Sequence, residues 1–177
     1  MEEAIVGEMA GTQLKIVPSR MVSFERFQRR RPDGTILTPN NPDLSAYSRD
    51  PYVSYYRARV PFLYWGESPD GRSPLVRIVA IGDKAYALDL LRPREGIMDG
   101  KLMLTWESDQ NSVLDASLIE EGLYVGKVVV QESGPHGRLD GAHDVTFAFL
   151  FHGFISYGEI FVQCADGKEV AKSLVCR

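Results

Sequence analysis

Two runs rich in β-forming residues, 75–81 and 84–88, meet at the dipeptide Gly82-Asp83, and this junction constrains the chain more than any other feature. A two-residue connection between strands must match their twist, and Gly at its first position accepts the positive φ that a type II′ turn demands. The pair therefore predicts an antiparallel hairpin. Residues 160–164 and 169–174 flank Asp166-Gly167 in the same manner and predict a second one. Between them, residues 101–107 alternate, with Leu102, Leu104 and Trp106 on one face, and residues 123–131 carry Val on both faces, as a central strand does.

Residues 143–154 also follow a period of two. His143, Val145, Phe147, Phe149 and Phe151 fall on one face and Asp144, Thr146, Ala148, Leu150 and His152 on the other, so the Phe face is the expected core side of a long strand. Residues 4–7 and 14–17 read as two short strands separated by Gly11, with Pro18 ending the second. Helical signals are few and short. Ser23 suits an N-cap, Glu25 the first turn, and Arg29, Arg30 and Arg31 the last turn, before Pro32-Asp33-Gly34 stops the helix. Asp89 suits the cap of a short helix cut off by Pro93 and Gly96, and Asp115 the cap of two turns ended by Gly122. Residues 38–54, rich in Pro, Asn, Asp, Ser and Tyr, have the composition of a long loop. The expected fold class is α+β, mainly antiparallel β-sheet with a few short helices, in a single domain over residues 1–177 that no repeat or linker divides.

With 177 residues at 44% hydrophobic, such a chain can bury a core without metal or disulfide staples. Its formal net charge of −4 is mildly acidic, which disfavours nucleic acid as a partner. No apolar run has the length of a membrane-spanning helix, and Met1-Glu2-Glu3 is acidic where a secretory signal is basic, so a soluble chain is expected. Cys164 and Cys176 are too few for a disulfide framework and lack the spacing of a zinc or redox pair. In the expected hairpin Cys164 faces Glu169, which argues against pairing the two, and the compartment stays open. Dimerisation through an edge strand is compatible with a sheet of this kind, but nothing selects an oligomeric state.

Several segments in order carry a family resemblance. They are residues 3–11 with Gly7 and Gly11, then Val22-Ser23-Phe24-Glu25-Arg26-Phe27 with Pro32-Asp33-Gly34, then Arg49-Asp50-Pro51-Tyr52 with Tyr55-Tyr56, and finally His143-Asp144-Val145-Thr146-Phe147-Ala148-Phe149 with Phe151-His152-Gly153-Phe154. Together they resemble the bacterial and archaeal family called domain of unknown function 3179. The resemblance implies no assigned activity. It implies longer relatives, commonly exported or lipid-anchored, with an upstream Cys-Pro-x-Cys segment that this sequence lacks, so the chain is expected to be either a shortened member or a fragment. A cell-envelope location is what the resemblance implies for the longer members. Neither Cys164 nor Cys176 occupies that cysteine motif, and a function resting on it is not carried over.

Two constellations offer chemistry. Tyr47, Arg49, Asp50, Tyr52, Tyr55 and Tyr56 concentrate planar, amphipathic and charged groups within ten positions of a loop. Tyrosine buries area at low rotamer cost and keeps a hydroxyl for orientation, and arginine stacks or grips a carboxylate. The plain alternative has Tyr52 and Tyr56 packing the loop on the sheet and Arg49 paired with a surface acid. The second constellation is His143, Asp144 and His152, with His136 in Gly134-Pro135-His136-Gly137 as a further imidazole. On an unbroken strand, however, His143 and His152 face opposite ways, as do His143 and Asp144. The three arginines 29–31 are taken as dipole-complementing surface charge, with phosphate or acid binding as the alternative. No nucleophile elbow, phosphate loop or dinucleotide fingerprint is present, and no cofactor or metal is indicated. The expected function is a non-catalytic binding or accessory module that uses the Tyr- and Arg-rich loop on a small molecule or a protein partner. The alternative is a metal-dependent or hydrolytic enzyme using His143, Asp144 and His152.

Overall fold

A computed structural model of the chain describes residues 4–13, 15–41, 43, 53, 55–69, 73–108, 110–113, 115–163 and 174–176. Its helices are α1 (Phe24–Arg30), α2 (Leu88–Leu91) and α3 (Ala148–Phe154). Its strands are β1 (Arg77–Ile81), β2 (Lys84–Ala87), β3 (Gly96–Asp99), β4 (Leu102–Glu107), β5 (Lys127–Gly134), β6 (Gly137–Asp140), β7 (Asp144–Phe147), β8 (Glu159–Val162) and β9 (Leu174–Cys176). They form a five-stranded sheet in the order β7-β1-β2-β8-β9 and a four-stranded sheet in the order β3-β4-β5-β6. Pairing is antiparallel except at β2–β8 and β8–β9, so the fold is the expected α+β with mainly antiparallel sheet.

The central strands β1, β2 and β8 are buried on both faces, which explains why they are nearly all apolar. Alternate residues divide between two clusters. Ile78, Ala85, Ala87, Ile160 and Val162 face α3 through Ala148 and Phe151. Val79, Tyr86 and Phe161 face the other way, against Leu104, Val128 and Val130 of the four-stranded sheet and against Leu90 and Leu91 of α2. On β2 the small side chains of Ala85 and Ala87 thus lie under the helix and the large Tyr86 between the sheets. Ile81 pairs with Lys84 across the turn, and Gly82 has φ +61°, as a type II′ hairpin requires. Lys127–Gly134 lies between β4 and β6, and its Val128, Val129 and Val130 are all buried, in keeping with an interior strand.

Four sequence expectations are corrected. The run 143–154 leaves the sheet at Phe147 and continues as α3. Ala148, Phe151 and Ile155 recur at helical spacing, and packing that stripe on the sheet's small residues decides the conformation. Asp115 caps no helix, and a single short 3₁₀ turn, Ile119–Glu121, precedes Gly122. The buried Asp115 carboxylate instead accepts hydrogen bonds from Arg57 Nε at 2.9 Å and Leu123 N–H at 2.8 Å, a tertiary use of a residue type that suits caps. Residues 4–12 form a turn-rich loop closed by Ala4 N–H to Thr12 O at 3.0 Å and Gly11 N–H to Ala4 O at 2.8 Å, and no named strand lies in residues 4–7 or 15–17. Finally, β8 and β9 pair in parallel, Ile160 with Leu174, which a two-residue hairpin cannot connect. Asp166-Gly167 itself lies outside the described residues.

Smaller expectations shift by little. Ser23 is the N-cap residue of α1 by position but makes no side-chain cap bond, and Glu25, Arg29 and Arg30 occupy the expected turns. Asp89 sits in the first turn of α2, where Ala87 holds the cap position. Near the sheet end, the Trp106 ring lies where a Cβ on Gly126 would come within 2.4 Å of it, and Gly126 has φ +68°, so only glycine fits there.

Two measurements test this packing. Replacing Ala85 by Leu overpacks the α3 face and is expected to cost about 1–3 kcal/mol in urea unfolding, while Leu104→Ala costs roughly 2–5 kcal/mol. Indifference of stability to Ala85→Leu would show that α3 does not lie on β2. For Asp115, burial raises the carboxyl pKa, but Arg57 and then Leu123 N–H outweigh it and hold it below the usual aspartate value. A carboxyl depressed in the folded state stabilises fully above its unfolded pKa and loses that contribution as pH falls toward the folded one. Melting curves from about pH 5 down through about pH 3 are therefore expected to fall less steeply for Asp115→Asn than for the natural chain, from a lower Tm at pH 7. Parallel curves would remove the role assigned to Asp115.

Candidate functional site

The face of the five-stranded sheet that carries α3 runs out at its β7 edge, and there the chain turns polar. Asp144 lies opposite Ala80 and Thr146 opposite Ile78 in the β7–β1 pairing, so both point to the α3 side. Val145 and Phe147 point the other way, and up to Phe147 the alternation in the sequence holds. Ala80 is small and α3 ends at Phe154, which leaves an open cleft of about 890 Å³ between the strand edge, the Gly82-Asp83 turn and the last turn of the helix. That volume lies in the range of small-molecule sites, roughly 300–1,000 Å³.

The cleft has two chemically different walls. Leu150, Phe151, Phe154 and Tyr157 supply an apolar and aromatic side, and Gln13, Asp83, His143 and Asp144 supply a polar one. Phe154 is 57% exposed and Tyr157 80% exposed, so two large aromatic rings stand at the lip where core packing does not account for them. His143 precedes the first residue of β7 and is half-buried, with Nδ1 at 2.9 Å from the carbonyl oxygen of Gly141. Because a carbonyl only accepts, Nδ1 carries the proton in the neutral ring and Nε2 presents a lone pair.

The structure brings His143 and Asp144 to the same cleft, contrary to the strand-parity argument, because His143 lies outside the strand. It does not bring His152 there. His152 is half-buried in the last turn of α3 and lies outside the lining of the cleft, and His136 is exposed in the β5–β6 turn. Among the described residues, no three His, Cys, Asp or Glu side chains converge as a metal site, and no hydrogen bond joins His143 to Asp144. Of the three residues named for the enzymatic alternative, two line the cleft. What the arrangement can do is hold a molecule with one apolar and one polar end.

Of the Tyr- and Arg-rich constellation, Tyr47, Arg49, Asp50 and Tyr52 lie outside the described residues, as does the side chain of Tyr56. Tyr55 opens a 3₁₀ turn and packs edge-on against Phe147 with ring centroids 5.7 Å apart, while its hydroxyl accepts from Phe62 N–H at 3.3 Å. Cys164 and the side chain of Cys176 lie outside the described residues too. Of the cleft contributors, Asp83 is marked in the sequence only as a turn residue and Phe154 only within a family-resemblance segment, and Tyr157 is not marked at all. They meet only because α3 is a helix.

Among the described residues no helix is long and apolar enough to cross a membrane. No curated protein and no solved structure matches the chain. A family model described as protein of unknown function (DUF3179) matches residues 1–158, which span every residue of the cleft. The chain belongs to the DUF3179 family of proteins of unknown function.

Proposed function

We propose that this chain is a non-catalytic binding module whose cleft between α3 and the β7 edge holds a small molecule with an apolar, ring-sized body and a hydrogen-bonding end. The observation that carries the reading is the pair of exposed aromatics, Phe154 and Tyr157, standing over a cleft whose opposite wall holds His143 and Asp144. Aromatic rings at a concave lip gain more from covering a flat apolar ligand than from water, and a few convergent polar groups fix its orientation. His143 Nε2 accepts and the Asp144 carboxylate accepts, so the polar end of the ligand is a donor such as a hydroxyl or amide. The Tyr- and Arg-rich segment, with Tyr47, Arg49, Asp50, Tyr52 and Tyr56, is a second recognition surface in this reading, supported by its composition. Tyr55 itself packs on Phe147.

Titration with the neutral apolar fluorophore N-phenylnaphthylamine tests the cleft directly. Saturable fluorescence enhancement is expected for the natural chain and a loss of about tenfold or more in affinity for Phe154→Ser/Tyr157→Ser. Because both side chains are largely exposed, the Tm of the variant is expected to stay within about 2 °C. An unsaturable signal, or equal affinity in the variant, overturns the assignment of the cleft.

A further inference from the structure

A second cleft, of about 550 Å³, opens where α1 meets the end of the four-stranded sheet. Six cations line it: Arg20, Arg26, Arg29, Arg30, Arg31 and Lys127. They come from three places in the chain, the segment before α1, α1 with its C-cap residue, and β5. Complementing a helix dipole accounts for Arg29 and Arg30 in the last turn of α1, but not for Arg20, Arg26 or Lys127. The convergence is a tertiary feature, and it occurs in a chain whose formal net charge is −4.

Two carboxylates enter the cleft and hold part of this charge in place. Glu107 takes Arg26 at 2.6 Å and Lys127 at 3.1 Å, and Asp140 takes Arg20 through Nε at 2.8 Å and through its second nitrogen. Lys127 is the most constrained of the cations, its side chain only 7% exposed. Burial raises the Glu107 pKa, yet Lys127 and then Arg26 hold it below the usual carboxylate range; Asp140 is held down by Arg20 first, against burial, with Arg30 and His143 adding to it. Both carboxylates are therefore ionised at neutral pH, and the cations still outnumber them. Arg29 reaches only Glu25, at 3.7 Å and largely in water, and Arg30 and Arg31 make no hydrogen bond or ion pair with a described residue.

We propose that this basic cleft binds a small phosphorylated ligand through its phosphate or diphosphate group. A carboxylate is matched by one arginine fork, as Asp140 and Arg20 already show within the chain, whereas a phosphate monoester carries nearly two charges and three strong acceptor oxygens. Several guanidinium groups converging beyond those already paired fit the second stoichiometry. The volume suits one small molecule, and Val22 and Phe27 give its body an apolar surface beside the charges. Glu107 and Asp140 act as internal stand-ins that hold Arg20, Arg26 and Lys127 in position until the anion arrives.

Isothermal titration of the full chain with inorganic pyrophosphate at low ionic strength tests this. Saturable binding is expected, weakening about tenfold or more in Arg30→Gln/Arg31→Gln, whose side chains are exposed and whose Tm should match the natural chain. Glu107→Gln, which removes the internal acceptor shared by Arg26 and Lys127, is expected to tighten binding severalfold. Acetate at the same ionic strength should give no saturable heat. The proposal is overturned if pyrophosphate does not bind, or if the double variant binds it equally. It is also overturned if Glu107→Gln loses affinity together with Tm, or if a single-stranded oligonucleotide is bound in preference to pyrophosphate.

Discussion

Tyr86, on the middle strand of the five-stranded sheet, is fully buried with its ring stacked on Phe161 at 5.0 Å and its hydroxyl on Asp99 of the four-stranded sheet. A phenol that deep must find a partner, because an unsatisfied buried hydroxyl costs about 1–3 kcal/mol. The partner is a carboxylate that also takes Lys84 Nζ at 2.9 Å, so the bond is charge-assisted and the buried charge is matched. Asp99 ends β3, and Tyr86 and Lys84 lie on β2, so this polar contact ties the two sheets together at a set position. Apolar packing around Val79, Leu104 and Val130 supplies the bulk of the driving force but is indifferent to small slides. The hydrogen bond is not.

Committing the large face of the sheet to the other sheet leaves Ala85 and Ala87 facing α3, and their size lets a short helix lie close. Functional groups are thereby expelled from the interior of both sheets. They collect where strands end or where the sheet has an edge: Asp144 and Thr146 on edge strand β7, and Glu107, Lys127 and Asp140 at the ends of β4, β5 and β6. Both clefts follow from that expulsion. One is walled by the helix that covers the sheet, and the other by α1, which buries none of its residues.

Local chemistry was legible in the sequence and tertiary choice was not. Gly82-Asp83 announces its hairpin because only a glycine at that position fits the turn, and the strands of 101–107 and 123–131 are visible because a single face, or both, must be apolar. The run from His143 satisfies a period of two as far as Phe147 and a helical stripe from Ala148, and no single-strand argument can weigh the small residues of β1 and β2 that receive the helix. The parallel pairing of β8 with β9 depends equally on a neighbour distant in sequence. The same holds for function. His143 and Asp144 attract notice as neighbours, but their companions Phe154, Tyr157 and Asp83 become companions only through the helix. Three consecutive arginines read as surface charge until Arg20, Lys127 and two carboxylates are placed around them.

The mode of attachment differs across the chain. From Leu75 to Val162 the elements share ladders and buried apolar clusters, so they separate only by losing many contacts together. The described residues before them are joined by discrete contacts such as Arg20 to Asp140, Arg26 to Glu107, Arg57 to Asp115, and the rings of Tyr55 and Tyr64 against Phe147 and Phe149. Each of these ion pairs keeps one partner in reach of water and is weakened by salt, so such a segment opens at lower free energy than the sheets beneath it. Two of these ties, Arg20 and Arg26, are also cations of the basic cleft. The contacts that dock α1 and those that line the cleft are one set of charges, and whatever strengthens the cleft's electrostatic matching also holds the amino-terminal segment against the sheet.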